Sequence, residues 1–162
     1  MSEQTLSLIK PDAVERNLIG KIIQIFEENN LIIEKMKKIH VDMDFAKKFY
    51  SVHSDKPFFN DLCNYISSGP LVAMVLKGDN AVQKNRELMG ATNPKDAKPG
   101  TIRNLYAVSI DKNSVHGSDS VENAKIEIDL FLKIKLFFQE PQHKLYVLIL
   151  KFSLPKLLDY QI

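Results

Sequence analysis

Of the four histidines in this 162-residue chain, His116 has neighbours that suit chemistry. It stands in Asn113-Ser-Val-His-Gly-Ser-Asp-Ser120. Gly117 would let a ligand approach the backbone closely, and hydroxyls flank it on both sides. Imidazole is the side chain that is both neutral and nucleophilic near pH 7, with an unperturbed pKa of ~6.5. To attack, it must present one defined nitrogen, which requires a partner on the other. Glu127 is a candidate partner. Its neighbours at helical spacing are Ala124 and Phe131, so it lies on the apolar margin of a helix, where a carboxylate needs a specific contact. The bland readings stand beside these: a lone histidine often only satisfies a turn, and a glutamate at a helix edge often only snorkels.

Cations suited to phosphate oxygens lie elsewhere along the chain. Lys10 ends an apolar run just before Pro11-Asp12. Arg86 precedes a long loop, Thr92 stands at its entry and Arg103 at its exit. The planar fork of arginine matches phosphate oxygens, and lysine supplies a mobile point charge. Taken singly, each reads as a solvated surface charge. There is no G-x-G-x-x-G. Gly20-Lys21-Ile22 lacks both the upstream glycine and the following hydroxyl of a Walker sequence, so any phosphate binding falls to side chains. His40, His53 and His143 have no metal-ligand spacing and read as surface or turn residues. Lys37-Lys38 and Lys47-Lys48 read as solvated faces.

These groups must be held by an ordered scaffold. Thr5–Lys10 has strand character and is stopped by Pro11, with Asp12 able to cap a short turn through Arg16. Residues 19–29 place Ile19, Ile22, Ile23 and Phe26 on one helical face, ended by Asn29-Asn30. Leu31–Lys38 reads as a strand, and 45–52 and 57–66 as helices, the second with Phe58, Leu62, Tyr65 and Ile66 on one side. Leu71–Leu76 is the most apolar strand candidate and should be central. Asn80 is placed to cap a helix over 81–89 that Gly90 closes. Residues 91–103 form a loop without apolar periodicity, of the length that usually carries function. Tyr106–Ile110 reads as a strand leading to His116. Asp119 or Ser120 caps a final helix bearing Ala124, Ile128, Phe131 and Leu132, and Asp119 reads as a cap rather than a catalytic acid. The order predicts an α+β domain, a ferredoxin-like antiparallel sheet (β-α-β-β-α-β) with covering helices.

Composition sets the outer limits. At 44% hydrophobic and 26% charged, with six glycines and seven prolines, the chain has the make-up of one globular domain without a long linker. A net charge of +2 gives no argument for nucleic acid. The single cysteine, Cys63, excludes an internal disulfide and reads as a core residue in a reducing compartment. Met1–Thr5 runs straight into a strand, leaving no room for a signal peptide, and Leu145–Leu150 is far too short to span a bilayer. The expectation is a cytoplasmic protein. Residues 132–162 carry five lysines against Glu140 and Asp159; within them 132–136 and 144–151 read as strands or short helices, split by Glu140-Pro141.

The segment Asn113-x-x-His116-Gly-Ser-Asp-Ser120 resembles the active-site signature of the nucleoside diphosphate kinases. Further motifs follow in that family's order: Ile9-Lys10-Pro11-Asp12, Tyr50 before Lys56-Pro-Phe-Phe59, Arg86 before Met89-Gly90, Thr92-Asn-Pro94, and Gly100-Thr-Ile-Arg103. The resemblance covers residues from about 5 to 131. It implies ping-pong transfer of a γ-phosphoryl group from a nucleoside triphosphate to a nucleoside diphosphate through phospho-His116, with Mg2+. It implies a nucleotide site lined by Lys10, Tyr50, Arg86, Thr92, Arg103 and Asn113, with Phe58 stacking on the base between Leu62 and Ile110. Alone, Phe58 would read as a core aromatic. It also implies that Glu127 orients His116, that Ser118 helps hold that network, and that the protein is a homo-oligomer, a hexamer or tetramer. The pattern divides the chain into a catalytic core, 1–131, and an atypical C-terminal extension, 132–162. It departs from the family at Leu105, near where an aspartate that can tie down the loop is common, and in about twenty extra residues before Phe152-Ser-Leu-Pro. A nucleotide-binding regulator of the same fold is the competing reading. Against it stands the joint presence of Lys10, Tyr50, Arg86, Thr92, Arg103, Asn113, His116 and Glu127.

Overall fold

The computed structural model describes residues 2–132; the elements expected within 133–162 lie outside the described residues. Four strands, β1 (Ser2–Ile9), β2 (Ile32–Ile39), β3 (Leu71–Asp79) and β4 (Val115–Gly117), form one antiparallel sheet in the order β2-β3-β1-β4. Helices α1 (Pro11–Glu15) and α2 (Ile19–Glu28) join β1 to β2, and α3 (Met43–Phe49) and α4 (Phe59–Ile66) join β2 to β3. Helix α5 (Ala81–Met89) and the short α6 (Ile102–Tyr106) precede β4, and α7 (Val121–Leu132) follows it. This is the expected α+β, ferredoxin-like arrangement.

Strand alternation explains the two-sided core. In β3, Leu71, Ala73 and Val75 face a cluster built with α3, α4 and α7, including Phe49, Cys63, Ile66, Ile128 and Phe131. Val72, Met74 and Leu76 face the opposite cluster with Ile22, Phe26, Met89 and Ile102. As expected, β3 is central and apolar on both faces, and Cys63 is a core residue. Complete burial of Phe26 alone removes enough apolar surface to favour folding by roughly 2–3 kcal/mol.

Several local expectations are corrected. Tyr106–Ile110 is not a strand: Tyr106 ends α6, and the strand is Val115–Gly117, with His116 inside it. Three residues paired to β1 suffice there because Val115 is buried and the backbone is already tied by Lys10 N–H donating to the Ser114 carbonyl at 2.8 Å. Such a short strand leaves no periodicity to read. Asn80 does not cap α5 through its side chain; it takes a left-handed conformation, and Glu3 accepts from the Val82 amide at 2.8 Å instead. At α1, Lys10 is the N-cap residue and Asp12 lies in the first turn. At α7, of the two candidate caps it is Ser120 that accepts from the Asn123 amide, at 3.1 Å.

Gly117 also serves packing. A Cβ there would collide with the Asn85 amide and stand 2.9 and 3.0 Å from the Met89 side chain. These α5 residues are buried against β4. Gly117→Ala should therefore lose about 1–3 kcal/mol of stability, as overpacked cores do, read as a lower urea midpoint at unchanged m-value.

Candidate active site

A cleft of about 950 Å³ opens between α3–α4 on one side and the α5–β4 region on the other. His116 on β4 lines it, paired with Leu8 across the β1–β4 ladder. Glu127 on α7 reaches back to the imidazole: Nε2 stands 3.2 Å from Oε1 and 3.3 Å from Oε2. A carboxylate only accepts. In the neutral ring the proton therefore belongs on Nε2, and Nδ1 carries the lone pair. The Ser118 hydroxyl donates to Glu127 Oε2 at 2.5 Å, fixing the carboxylate from a second direction. The ring of Phe49 meets the imidazole edge-on at 5.0 Å between centroids, which restricts rotation of the nucleophile candidate. Sequence reading missed Phe49, because an aromatic in an amphipathic helix carries no sign of what its edge will touch.

The cations converge. Lys10, Arg86 and Arg103 all line the cleft, with Thr92 and Asn113. Lys10 is only 6% exposed, and its ammonium donates to Asn113 Oδ1 at 2.8 Å. Burial first, then the nearby Arg103 charge, pulls the Lys10 pKa down to about 8; Asp12 and Asp111 partly oppose this. Arg103 is anchored by donating to the Gly90 carbonyl at 2.8 Å and the Val115 carbonyl at 3.1 Å. Burial, then Arg86, lowers its pKa to about 10. The Arg103 Nε and the Tyr50 hydroxyl are both buried without a hydrogen-bond partner. Burial also drives the Tyr50 pKa upward, so its hydroxyl remains a donor. Like charges crowded in a low dielectric and donors left unspent describe a site built to receive an anion rich in oxygens.

The apolar end is equally defined. Phe58 is 50% exposed and Ile110 55% exposed, and with Leu62 they line the cleft mouth. Phe58 is thus not a core aromatic. His53, read from sequence as a surface or turn residue, lines the same wall, its ring 6.1 Å from that of Phe58. Lys48, read as a solvated face, lies on the cleft rim. Asp119 also lines the cleft; hydrogen bonding from Asn123 is the main cause that holds its carboxyl below the usual range. At Leu105, half exposed on α6, no carboxylate ties the loop. Its order comes instead from Thr101 donating to the Lys98 carbonyl at 2.7 Å, Asn104 donating to the Ala97 carbonyl at 3.3 Å, and the Arg103–Gly90 bond.

Comparison with known proteins agrees with this geometry. The family model described as nucleoside diphosphate kinase matches residues 3–137. The chain belongs to the nucleoside diphosphate kinase family. A nucleoside diphosphate kinase from a Nitratiruptor species is 64% identical over 129 residues, 80% of this chain and 94% of the relative. One from Campylobacter concisus is 63% identical over the same shares. Among solved structures, the Aquifex aeolicus enzyme superposes with a TM-score of 0.80 at 38% identity, covering 83% of this chain and all of that one. A halophilic member from Halobacterium salinarum, in complex with CDP, gives 0.79 at 39% identity, over 91% of this chain and 99% of its own. Binding of nucleotides is a property of this family.

The buried lysine gives a stability signature. Its folded pKa of about 8 lies below the ordinary 10.5, so the folded state bears the cost of a buried charge below pH 8. That cost is relieved as pH rises from about 8 towards 10.5, where the unfolded chain still binds the proton. Lys10→Met should be the more stable protein at pH 7, with the difference closing over that window in urea titrations.

Proposed function

We propose that His116 is the phosphoryl carrier of this enzyme, attacking through Nδ1. Family membership makes the chain a nucleoside diphosphate kinase, a phosphotransferase that converts ATP and a nucleoside diphosphate to ADP and the corresponding triphosphate by a ping-pong route through phosphohistidine. The single observation that carries the assignment of the carrier is the contact of His116 Nε2 with Glu127 Oε1 and Oε2 at 3.2 and 3.3 Å. It leaves the other nitrogen free on a cleft lined by cations.

In the first half-reaction, the Nδ1 lone pair forms a bond to the γ-phosphorus as the bond to the β–γ bridging oxygen breaks. The electron pair leaves on the nucleoside diphosphate. Glu127 steadies the positive charge that grows on the ring, and Ser118 keeps that carboxylate in place. Lys10, Tyr50, Arg86, Thr92, Arg103 and Asn113 bind the phosphates and ribose; arginine forks and the lysine ammonium offset charge on the transferring oxygens. Phe58 stacks on the base with Leu62 and Ile110 beside it. Stacking uses no base-edge hydrogen bonds, so different bases can share the slot. The second half-reaction reverses these steps with another nucleoside diphosphate.

When bound with a nucleotide, Mg2+ would supply neutralisation of phosphate charge beside Lys10, Arg86 and Arg103. Asp119 lines the same cleft and would be a carboxylate available to accept from water bound to such a cation.

Residues 1–131 are the catalytic core and 132–162 an atypical extension. Matching segments that span 94% of the relatives account for only 80% of this chain, which supports that division. The protein works as a cytoplasmic homo-oligomer, a hexamer or tetramer. No helix among the described residues is long and apolar enough to cross a membrane. The edge strand β2 has no strand on its outer side among the described residues and exposes Ile32 and Met36, a surface that a second copy would protect.

Mixing the protein with γ-labelled ATP should give an acid-labile, alkali-stable protein label that passes to any added nucleoside diphosphate. His116→Ala should take up none. Glu127→Gln should fold and bind nucleotide yet acquire label at least about tenfold more slowly, the scale of a lost orienting and charge-stabilising contact. Label retained on the wild-type protein after diphosphate is added would instead favour a regulatory nucleotide binder.

A further inference from the structure

Behind the phosphate end of the cleft lies a polar knot that the reaction as described does not use. Asp12 on α1 is buried, its side chain 5% exposed, and receives donors from three sides. The Tyr65 hydroxyl of α4 donates to Oδ1. Arg16 Nη2 donates to Oδ2 at 2.8 Å, and Ser114 Oγ donates to the same oxygen at 3.3 Å. Arg16 extends the knot: its Nη2 also reaches Ser114 Oγ at 3.1 Å, and Nη1 donates to the Tyr106 carbonyl at 2.7 Å. One carboxylate thereby joins α1, α4, the end of α6 and the entry to β4. Lys10 sits at the centre of these parts. Its amide donates to the Ser114 carbonyl, its ammonium to Asn113, and Nζ lies 5.6 Å from the centre of the Tyr65 ring.

We propose that Asp12 is a positioning residue for the phosphate end of the site, fixing both the place and the charge of the Lys10 ammonium. The inference rests on the reading of Lys10 as a phosphate contact.

Stability alone gives little reason for such a knot, since a buried ion pair is often replaced by apolar residues at no cost. Its use lies in geometry and charge together. Lys10 is surrounded by Arg103 from α6, Asp111 and Asn113 from the segment before β4, and Tyr65 from α4, with Arg86 behind Arg103. Of the charged groups acting on it, only Asp12 and Asp111 favour the protonated form, and Asp111 is exposed where Asp12 is buried. Asp12 therefore favours the charged ammonium against Arg103, and Arg16, paired with the same carboxylate at 2.8 Å, offsets part of the Asp12 charge. Two opposed variants follow. Neutralising Asp12 should make Lys10 easier to deprotonate, and removing the Arg16 charge should make it harder.

The test is titration of Lys10 by NMR with lysine labelled at Cε, its resonance identified by its loss in Lys10→Met, alongside the pH profile of kcat/KM with Mg-ATP and a nucleoside diphosphate. In Asp12→Asn the Lys10 midpoint should fall by about one unit, the scale of a lost opposite charge nearby, and the alkaline limb of kcat/KM should move with it. In Arg16→Gln both should move to higher pH. Midpoints that stay put in both variants, or move the same way, overturn the proposal; so does a loss of kcat/KM with no displacement of either curve. Should Asp12→Asn fail to fold, the direction of the Arg16→Gln displacement decides. A displaced Lys10 midpoint with an unmoved kcat/KM limb upholds the role of Asp12 and sinks Lys10 as the phosphate contact.

Discussion

Three residues of β4 laid antiparallel along the end of β1 set the geometry of everything else in the cleft. Ser7, Leu8 and Ile9 pair with Gly117, His116 and Val115, and the next peptide is joined through the Lys10 amide. That register places the imidazole on β4 and the ammonium just past the end of β1, near the same end of the sheet. A slip of one residue would turn the imidazole to the opposite face, where Met89 and Ile102 fill the core. The slip is opposed by the glycine at 117, whose missing side chain admits Asn85 and Met89, and by Val115, which is wholly buried. Packing and chemistry thus share one constraint.

The electrostatics of the cleft run against folding. Lys10 is buried beside Arg103, Arg103 is buried beside Arg86, and the Tyr50 hydroxyl finds no partner. Each is a cost that a triphosphate would offset on binding, because its oxygens would meet donors already aimed and already stripped of water. Preorganisation of this kind favours transition-state charge without later rearrangement. By linkage, nucleotide should also stabilise the fold.

How far the sequence reveals this depends on which physical signal each part leaves. The central strand β3 and the amphipathic α2 are legible because burial imposes period 2 and period 3.6 on their residues. Glu127 is legible as a carboxylate on an apolar helix margin, and the structure gives it the required partners. The motif resemblance brings in Lys10, Tyr50, Phe58, Arg86, Thr92, Arg103, Ile110 and Asn113, whose convergence no spacing could reveal. All of them line the cleft. What escapes is local and short. β4 is too brief for a pattern, so Tyr106–Ile110 reads as a strand where the chain is irregular. The nearest Asx residue, Asn80, reads as a cap, whereas Glu3 from a distant strand takes that amide. Phe49 and His53 escape because an aromatic ring reports its burial but not its neighbour.

On the proposed role of His116 as carrier, the hydrogen bonds to Glu127 also explain how one imidazole can serve transfer in both directions. A nucleophile needs its free nitrogen unprotonated, while a phosphorylated ring needs its other nitrogen to stay protonated. Both demands are met by keeping the proton on Nε2 beside a carboxylate that is itself held by Ser118. Were the carboxylate free to swing, the ring could flip and present either nitrogen, and half of its orientations would be idle. Ser118 is fully buried, and its amide donates to the Leu6 carbonyl of β1 at 3.2 Å, so the hydroxyl is fixed by the same sheet that fixes His116. The Phe49 ring closes the remaining side. Sheet, helix α7 and helix α3 therefore each remove one freedom from the imidazole, which lines the same cleft as Lys10, Arg86 and Arg103.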